Sequence, residues 1–82
     1  MRVSLVIPTL DEEEAIGKVL SCIPNDIVDE VIVVDSSSDG TAEVAKSFGT
    51  AVINEDRPGY GRALLSGIQH ASGDIVVYID AD

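Results

Sequence analysis

Two carboxylates one residue apart, Asp80 and Asp82 of Asp80-Ala81-Asp82, directly follow the apolar run Ile75-Val76-Val77-Tyr78-Ile79. In extended backbone, residues two apart point to the same side. The pair therefore offers hard oxygen donors to one point, the donor set that Mg²⁺ or Mn²⁺ takes together with phosphate oxygens. A cation held there would bridge to a diphosphate and stabilise it as a leaving group. An acidic chain also produces such a triplet by chance, as a pair of solvated acids in a turn. Its position just beyond an apolar strand is what gives the metal reading weight.

Other segments carry polar residues that ask for a role. Asp35 closes the run Val31-Ile32-Val33-Val34, where a carboxylate can accept hydrogen bonds from base N–H groups or ribose hydroxyls. Asp39-Gly40-Thr41 reads as a tight turn with a helix cap. In Asp11-Glu12-Glu13-Glu14, Asp11 stands where a helix cap belongs and Glu14 three residues later, as in a capping box. That leaves Glu12 and Glu13 over, one of which could reach a ribose. Pro58-Gly59-Tyr60-Gly61-Arg62 puts glycines at a helix N-terminus, where backbone N–H groups could meet phosphate. It is neither a dinucleotide fingerprint, which would have to replace Pro8-Thr9-Leu10-Asp11 after the first strand, nor a P-loop, for want of G-K-[ST]. His70, near the end of a helix, reads as a partner of the helix dipole.

Composition narrows the partners. Asp and Glu number 15 against 5 Lys and Arg, a net charge of −10, which excludes a nucleic-acid backbone as ligand because few cations could displace its counterions. A polyphosphate would need an intervening cation. The single cysteine, Cys22, allows no disulfide within the chain and no cysteine-rich metal site, and is expected to be a buried or half-buried apolar residue. The N-terminal apolar run is too brief for a signal peptide or a membrane span, so a cytoplasmic location is expected, with association at the cytoplasmic face of the membrane left open for the full-length protein.

These groups need elements to hold them. Residues 3–7 form a strand closed by Pro8, which cannot donate to a ladder. Ile16, Val19, Leu20 and Ile23 make one helical stripe that stops at Pro24-Asn25-Asp26. Residues 31–34 form a second strand, apolar on both faces as in a covered parallel sheet. Residues 41–48 form a helix with Thr41, Val44, Ala45 and Phe48 on one face and Gly49 as its stop. Residues 51–53 are a short strand. A third helix, from Pro58-Gly59-Tyr60-Gly61, turns Leu64, Leu65, Ile68 and Ala71 inward, and residues 75–79 are a fourth, buried strand. The alternation predicts an α/β fold of three layers: a parallel four-stranded sheet, order 3-2-1-4, with helices on both faces. Ligands of such sheets sit beyond the carboxyl ends of strands where the order reverses. That rule selects 8–13, 35–40 and 80–82.

The chain resembles a family 2 glycosyltransferase of the GT-A fold, and is similar to the polyprenyl-phosphate mannose and glucose synthase branch. The matching stretches are Val6-Ile7-Pro8-Thr9-Leu10-Asp11-Glu12-Glu13, Val31-Ile32-Val33-Val34-Asp35-Ser36-Ser37-Ser38-Asp39-Gly40-Thr41, Gly59-Tyr60-Gly61-Arg62-Ala63-Leu64 and Ala71-Ser72-Gly73-Asp74-Ile75-Val76-Val77-Tyr78-Ile79-Asp80-Ala81-Asp82. The resemblance implies that Pro8, Thr9, Leu10 and Glu12 line a nucleoside pocket and that Asp35 and Ser36 bind base or ribose. It implies that the Asp80-Ala81-Asp82 triplet meets the nucleotide-sugar, with Asp80 on ribose or metal and Asp82 on the divalent cation. The implied reaction is transfer of a hexose from a UDP- or GDP-sugar to an acceptor such as a polyprenyl phosphate.

Three positions depart from many members, which have a stacking residue where Leu10 stands, Asn where Asp11 stands and a second Asp where Ser36 stands. Members also continue well past the D-x-D. Residues 1–82 are therefore expected to be the N-terminal, nucleotide-sugar-binding part of the domain, inactive alone, with acceptor site and general base beyond residue 82. Two other classes compete. Haloacid-dehalogenase-like or receiver-like phosphotransfer domains also cluster acids at strand ends, but need them after the first strand, with a lysine on a later strand. Lys18 and Lys46 here fall on predicted helices. A non-catalytic nucleotide-binding module would bind without transfer.

Overall fold

The computed structural model describes residues 1–56 and 59–81, and of Tyr60 only the backbone. Strands β1 (Val3–Thr9), β2 (Glu30–Asp35), β3 (Ala51–Asn54) and β4 (Ile75–Tyr78) alternate with helices α1 (Glu13–Ser21), α2 (Thr41–Ser47) and α3 (Tyr60–His70). All pairings are parallel and the order is β3-β2-β1-β4, as the alternation predicts. No helix among the described residues is long and apolar enough to cross a membrane.

Strand β1 runs two residues further than its sequence suggests, through Pro8 to Thr9. The reason lies in which way each residue's backbone faces. Val3 and Thr9 carbonyls accept from Asp29 and Ser36, on the β2 side, whereas Arg2 and Val6 carbonyls accept from the β4 side. Odd positions thus serve β2 and even positions serve β4. Pro8, an even position, lacks its N–H on the side where β4 pairing has already ended at Tyr78, so no ladder bond is lost.

Side-chain alternation splits the core in two. Leu5, Ile7 and Val33 pack with Ile16, Leu20 and Ala45 of the first two helices. Val6, Ile32 and Val34 pack with Ala63 of α3 on the opposite face. The predicted α1 stripe is as observed: Ile16 and Leu20 are buried, and Val19 and Ile23 half-buried against them. The inward face of α3 is not. Leu65 and Ile68 are more than half exposed, and Ala63 and Gly67 face the sheet instead, with Leu64 and Ala71 half-buried. Gly67 explains the rotation, because a Cβ there would lie 2.3 Å from Val6 Cγ1. The helix sits closer to β1 than any side chain larger than hydrogen would allow, and its bulky residues are turned aside.

Two further expectations need correction. Cys22 is exposed, one residue beyond the end of α1 and off its packed stripe. Strand β4 is exposed along its length rather than buried, because it pairs on one side only and α1 and α3 cover little of either face. At its entry β4 is tied to its neighbours by polar bonds. The Ser4 hydroxyl, fully buried, donates to Glu30 Oε2 (3.2 Å) and accepts from the Gly73 N–H (2.9 Å). The Ser72 hydroxyl also donates to Glu30. That bond first, then the Ser72 amide, the Ser4 hydroxyl and the Arg2 guanidinium, hold the Glu30 carboxyl below its ordinary value, against a smaller opposing effect of burial.

Substituting Gly67→Ala is expected to destabilise the protein by about 1–3 kcal/mol through overpacking, read by chemical denaturation. A carboxyl whose folded value is lowered stabilises the fold above its unfolded value, here 4.5, and loses that contribution as pH falls through the folded value. The melting temperature of the native protein should therefore fall with acid below that pH more steeply than that of Glu30→Gln.

Candidate nucleotide-binding site

The carboxyl ends of β1, β2 and β4 carry the residues of interest, and the ladder fixes their mutual placement. Thr9 pairs with Asp35 across β1 and β2. Both are buried, each 4% exposed, and the Thr9 hydroxyl donates to Asp35 Oδ1 at 2.7 Å. A buried carboxylate must have partners; Thr9 supplies one and fixes the plane of the group. Ser36, half-buried, continues the ladder by donating its N–H to the Thr9 carbonyl at 3.0 Å.

On the other side of β1, Val6 pairs with Tyr78 and the Ile79 N–H still reaches the Val6 carbonyl at 3.2 Å. Asp80 follows two residues past Tyr78, beyond the end of the ladder, and Pro8 lies two residues past Val6, half-buried. Asp80 is exposed, while Ala81 is buried in the α1-side core with Ile79 half-buried beside it. Ala81 thus packs against the sheet while its neighbour Asp80 stays exposed. Asp82, the expected cation ligand, lies outside the described residues, as do Arg57 and Pro58. Among the described residues no group of three His, Cys, Asp or Glu side chains is placed to hold a metal. An exposed carboxylate such as that of Asp80 is a hard oxygen donor of the kind a divalent cation takes, and one alone would need further oxygen ligands beside it.

The loops after β1 and β2 interlock more closely than their composition suggests. Asp11 adopts a left-handed backbone, φ 54°, a region that Asp and Asn enter more readily than most side chains. Its carboxylate does not cap α1 as expected. Glu12 is the N-cap residue, with no side-chain cap, and Glu14 is exposed rather than part of a capping box. Asp11 Oδ1 accepts instead from the Ser38 N–H at 3.0 Å, and the Asp11 N–H donates to the Ser37 hydroxyl at 2.7 Å. Glu13 Oε1 accepts from the Gly40 N–H at 3.0 Å, which spends the carboxylate that was left over for a ribose. The Glu12 N–H donates to the Thr41 hydroxyl at 3.0 Å, and the Glu12 side chain is half-buried. Asp39 accepts from both the hydroxyl and the N–H of Thr41. The Thr41 hydroxyl, chiefly, holds its carboxyl below the usual range.

Leu10, by contrast, projects from this scaffold, 53% exposed at the tip of the β1 loop. It is an apolar surface beside the Thr9–Asp35 pair, available to a flat ligand face. Gly59 opens α3 at φ 151°, and Arg62 is exposed on its first turn. His70, also exposed, places Nδ1 2.9 Å from the Ser66 carbonyl, one turn back. The structure thus brings Pro8, Thr9, Leu10, Glu12, Asp35, Ser36 and Asp80 to one end of the sheet. Ser37, Ser38 and Thr41 join them as loop supports that their residue types alone did not reveal. The serine run was readable only as a turn.

A parallel β3-β2-β1-β4 sheet with these loops at its carboxyl edge is the nucleotide-binding half of a GT-A glycosyltransferase fold. The chain belongs to glycosyl transferase family 2, whose description matches residues 4–82. It is 46% identical over 81 residues to an uncharacterized glycosyltransferase of Mycobacterium tuberculosis, covering 98% of this chain and 36% of that protein. Mannosyl-3-phosphoglycerate synthase from Rubrobacter xylanophilus superposes on it with a TM-score of 0.92 at 34% identity, over 100% of this chain and 31% of that one. Glucosyl-3-phosphoglycerate synthase from Mycobacterium tuberculosis, solved with Mn²⁺, UDP and glucosyl-3-phosphoglycerate, does so with a TM-score of 0.89 at 40% identity, over 99% of this chain and 33% of that one. The chain spans about a third of the length of these relatives.

Replacing Thr9 with Val keeps its shape and removes the donor to Asp35. Thermal unfolding should show a loss of about 1–3 kcal/mol, the usual penalty for stripping a buried polar group of its partner. Thr9→Ser should recover most of it.

Proposed function

We propose that residues 1–82 form the nucleotide-sugar-binding part of a metal-dependent glycosyltransferase that moves a hexose from a UDP-sugar to a phosphorylated acceptor. The observation that carries this reading is the alignment of the buried Thr9–Asp35 pair with the exposed Asp80 at the carboxyl ends of adjacent strands. In this reading Asp35, held by Thr9, accepts from the base or ribose. Ser36 presents its hydroxyl beside it, Leu10 lies against the base, and Pro8 and Glu12 close the pocket wall. Asp80 and Asp82 hold a divalent cation, Mg²⁺ or Mn²⁺, and Ala81 keeps them in place. The cation supplies charge neutralisation to the departing diphosphate.

The UDP bound to the Mycobacterium tuberculosis synthase favours a uridine donor over a guanosine one. The phosphoglycerate in the names of both solved relatives favours a small phosphorylated hydroxy acid as acceptor, and nothing supports the polyprenyl phosphate suggested by sequence. The phosphotransfer alternative loses its footing: Lys18 is on α1 and Lys46 on α2, with no lysine on any strand.

Calorimetric titration of the full-length protein with UDP, GDP and their sugars, with and without Mn²⁺, tests the reading. Mn²⁺ should tighten UDP binding by about tenfold or more, within the usual range of coupling between two ligands. Asp82→Ala should abolish that gain. Binding that ignores both the metal and the substitution would sink it.

A further inference from the structure

Strand β4 delivers Asp80, yet little in its own side chains says where along β1 it should stop. Its residues are Ile75, Val76, Val77 and Tyr78, all at least a third exposed. Each face therefore repeats one kind of residue, and a shift of two positions would put apolar on apolar with no change of face. Register is weakly specified in such a strand, because only a one-residue slip exchanges the two faces. A two-residue slip, however, would carry Asp80 about 6.5–7 Å along the sheet, at about 3.3 Å per residue. That is some three times a metal–oxygen bond of about 2.1 Å. The site tolerates no such displacement, so the register must be held by groups that flank the strand: Ile79 and Ala81 in the core after it, and the polar residues before it.

We propose that the Ser4–Glu30–Ser72–Gly73 cluster at the opposite end of the sheet is a register clip, and that Ser4 and Glu30 are positioning residues for the cation-binding carboxylates. This rests on the metal reading of Asp80 and Asp82 above. One carboxylate oxygen, Glu30 Oε2 on β2, accepts from the Ser4 hydroxyl of β1 and from both the hydroxyl and the N–H of Ser72, just ahead of β4. The Ser4 hydroxyl in turn accepts the Gly73 N–H. Three strands that follow different crossovers are thereby tied at one point.

Arg2 adds a second tie. Its carbonyl accepts from Asp74 and Ile75, its N–H donates to Asp74 Oδ2 at 2.9 Å, and its side chain reaches Ser72 and Glu30. Position 73 accepts only glycine, since a Cβ there would lie 2.5 Å from Ser4 Oγ and 2.8 Å from Ser4 N. Unlike the apolar ladder, these bonds change with every residue of slip: no other offset returns an N–H to Ser4 Oγ and a hydroxyl to Glu30 together. Ser4 and Val6 share one face of β1, so the clip and the close seat of α3 on Val6 lie along a single row that ends where Val6 pairs with Tyr78, two residues before Asp80.

The test uses the full-length protein with Ser4→Ala and, as a milder change that keeps the shape of a partly buried side chain, Glu30→Gln. Val44→Ala, a core substitution remote from the clip, serves as a control of comparable stability loss. Mn²⁺ affinity in the presence of UDP is read by electron paramagnetic resonance, and UDP affinity without metal by calorimetry. The expected result is a loss of about tenfold in Mn²⁺ affinity for Ser4→Ala and a smaller loss in the same direction for Glu30→Gln. Metal-free UDP affinity, which depends on β1 and β2, should hold within about twofold, and Val44→Ala should leave both unchanged. Clip variants that bind Mn²⁺ as the native protein does, or a control that loses Mn²⁺ affinity equally, would overturn the clip while leaving the metal site standing. A native protein with no Mn²⁺ dependence would overturn the metal reading and the clip with it.

Discussion

The backbone of β1 serves two strands at once, and the placement of every candidate ligand group follows from that. Its odd positions bond to β2 and its even positions to β4, while its side chains alternate between two cores. Leu5 and Ile7 pack one layer of helices, and Val6 seats the other. A strand with both edges and both faces engaged has no freedom to shift. Thr9 at its end is therefore a fixed point, from which Asp35 is set on one side and Asp80 on the other.

The strong negative charge of the chain takes on a more particular meaning in this light. Asp11, Glu13 and Asp39 are bound to backbone N–H groups of the neighbouring turns, and Glu30 to hydroxyls and an amide at the other end. These carboxylates replace main-chain partners that irregular loops lack. Loops stitched in this way hold their shape without a covering layer. At the carboxyl end of the sheet this contrasts with Asp35, one of whose oxygens is committed to Thr9, and with the exposed Asp80.

Element order, strand polarity and the reversal point were legible because each rests on a local signal: β-branched runs, a clean helical stripe on α1, and glycine stops. The resemblance of four motifs added the family. What was hidden depended on distance in three dimensions. The Asp11 cap was a sound local inference, but the left-handed backbone turned its carboxylate across to Ser38, residues away in sequence. The α3 face was assigned to its largest apolar residues, whereas Gly67 against Val6 decided it. Among the site residues, Thr9 was placed by analogy and only the structure gave it a physical task. Ala81, in turn, proved to be a buried anchor.

The pairing of β1 with β4 joins the first of these four strands to the fourth, Val3 with Ile75 through Val6 with Tyr78. During synthesis the chain emerges from its amino end. Until residues 75–78 have left the ribosome, the even-numbered edge of β1 has no β4 to bond, although β2 and β3 can already be in place. The Thr9–Asp35 bond can form at that stage; the placement of Asp80 beside β1 cannot. The order of synthesis thus lets the β1–β2 end of the sheet form before Asp80 is delivered beside it.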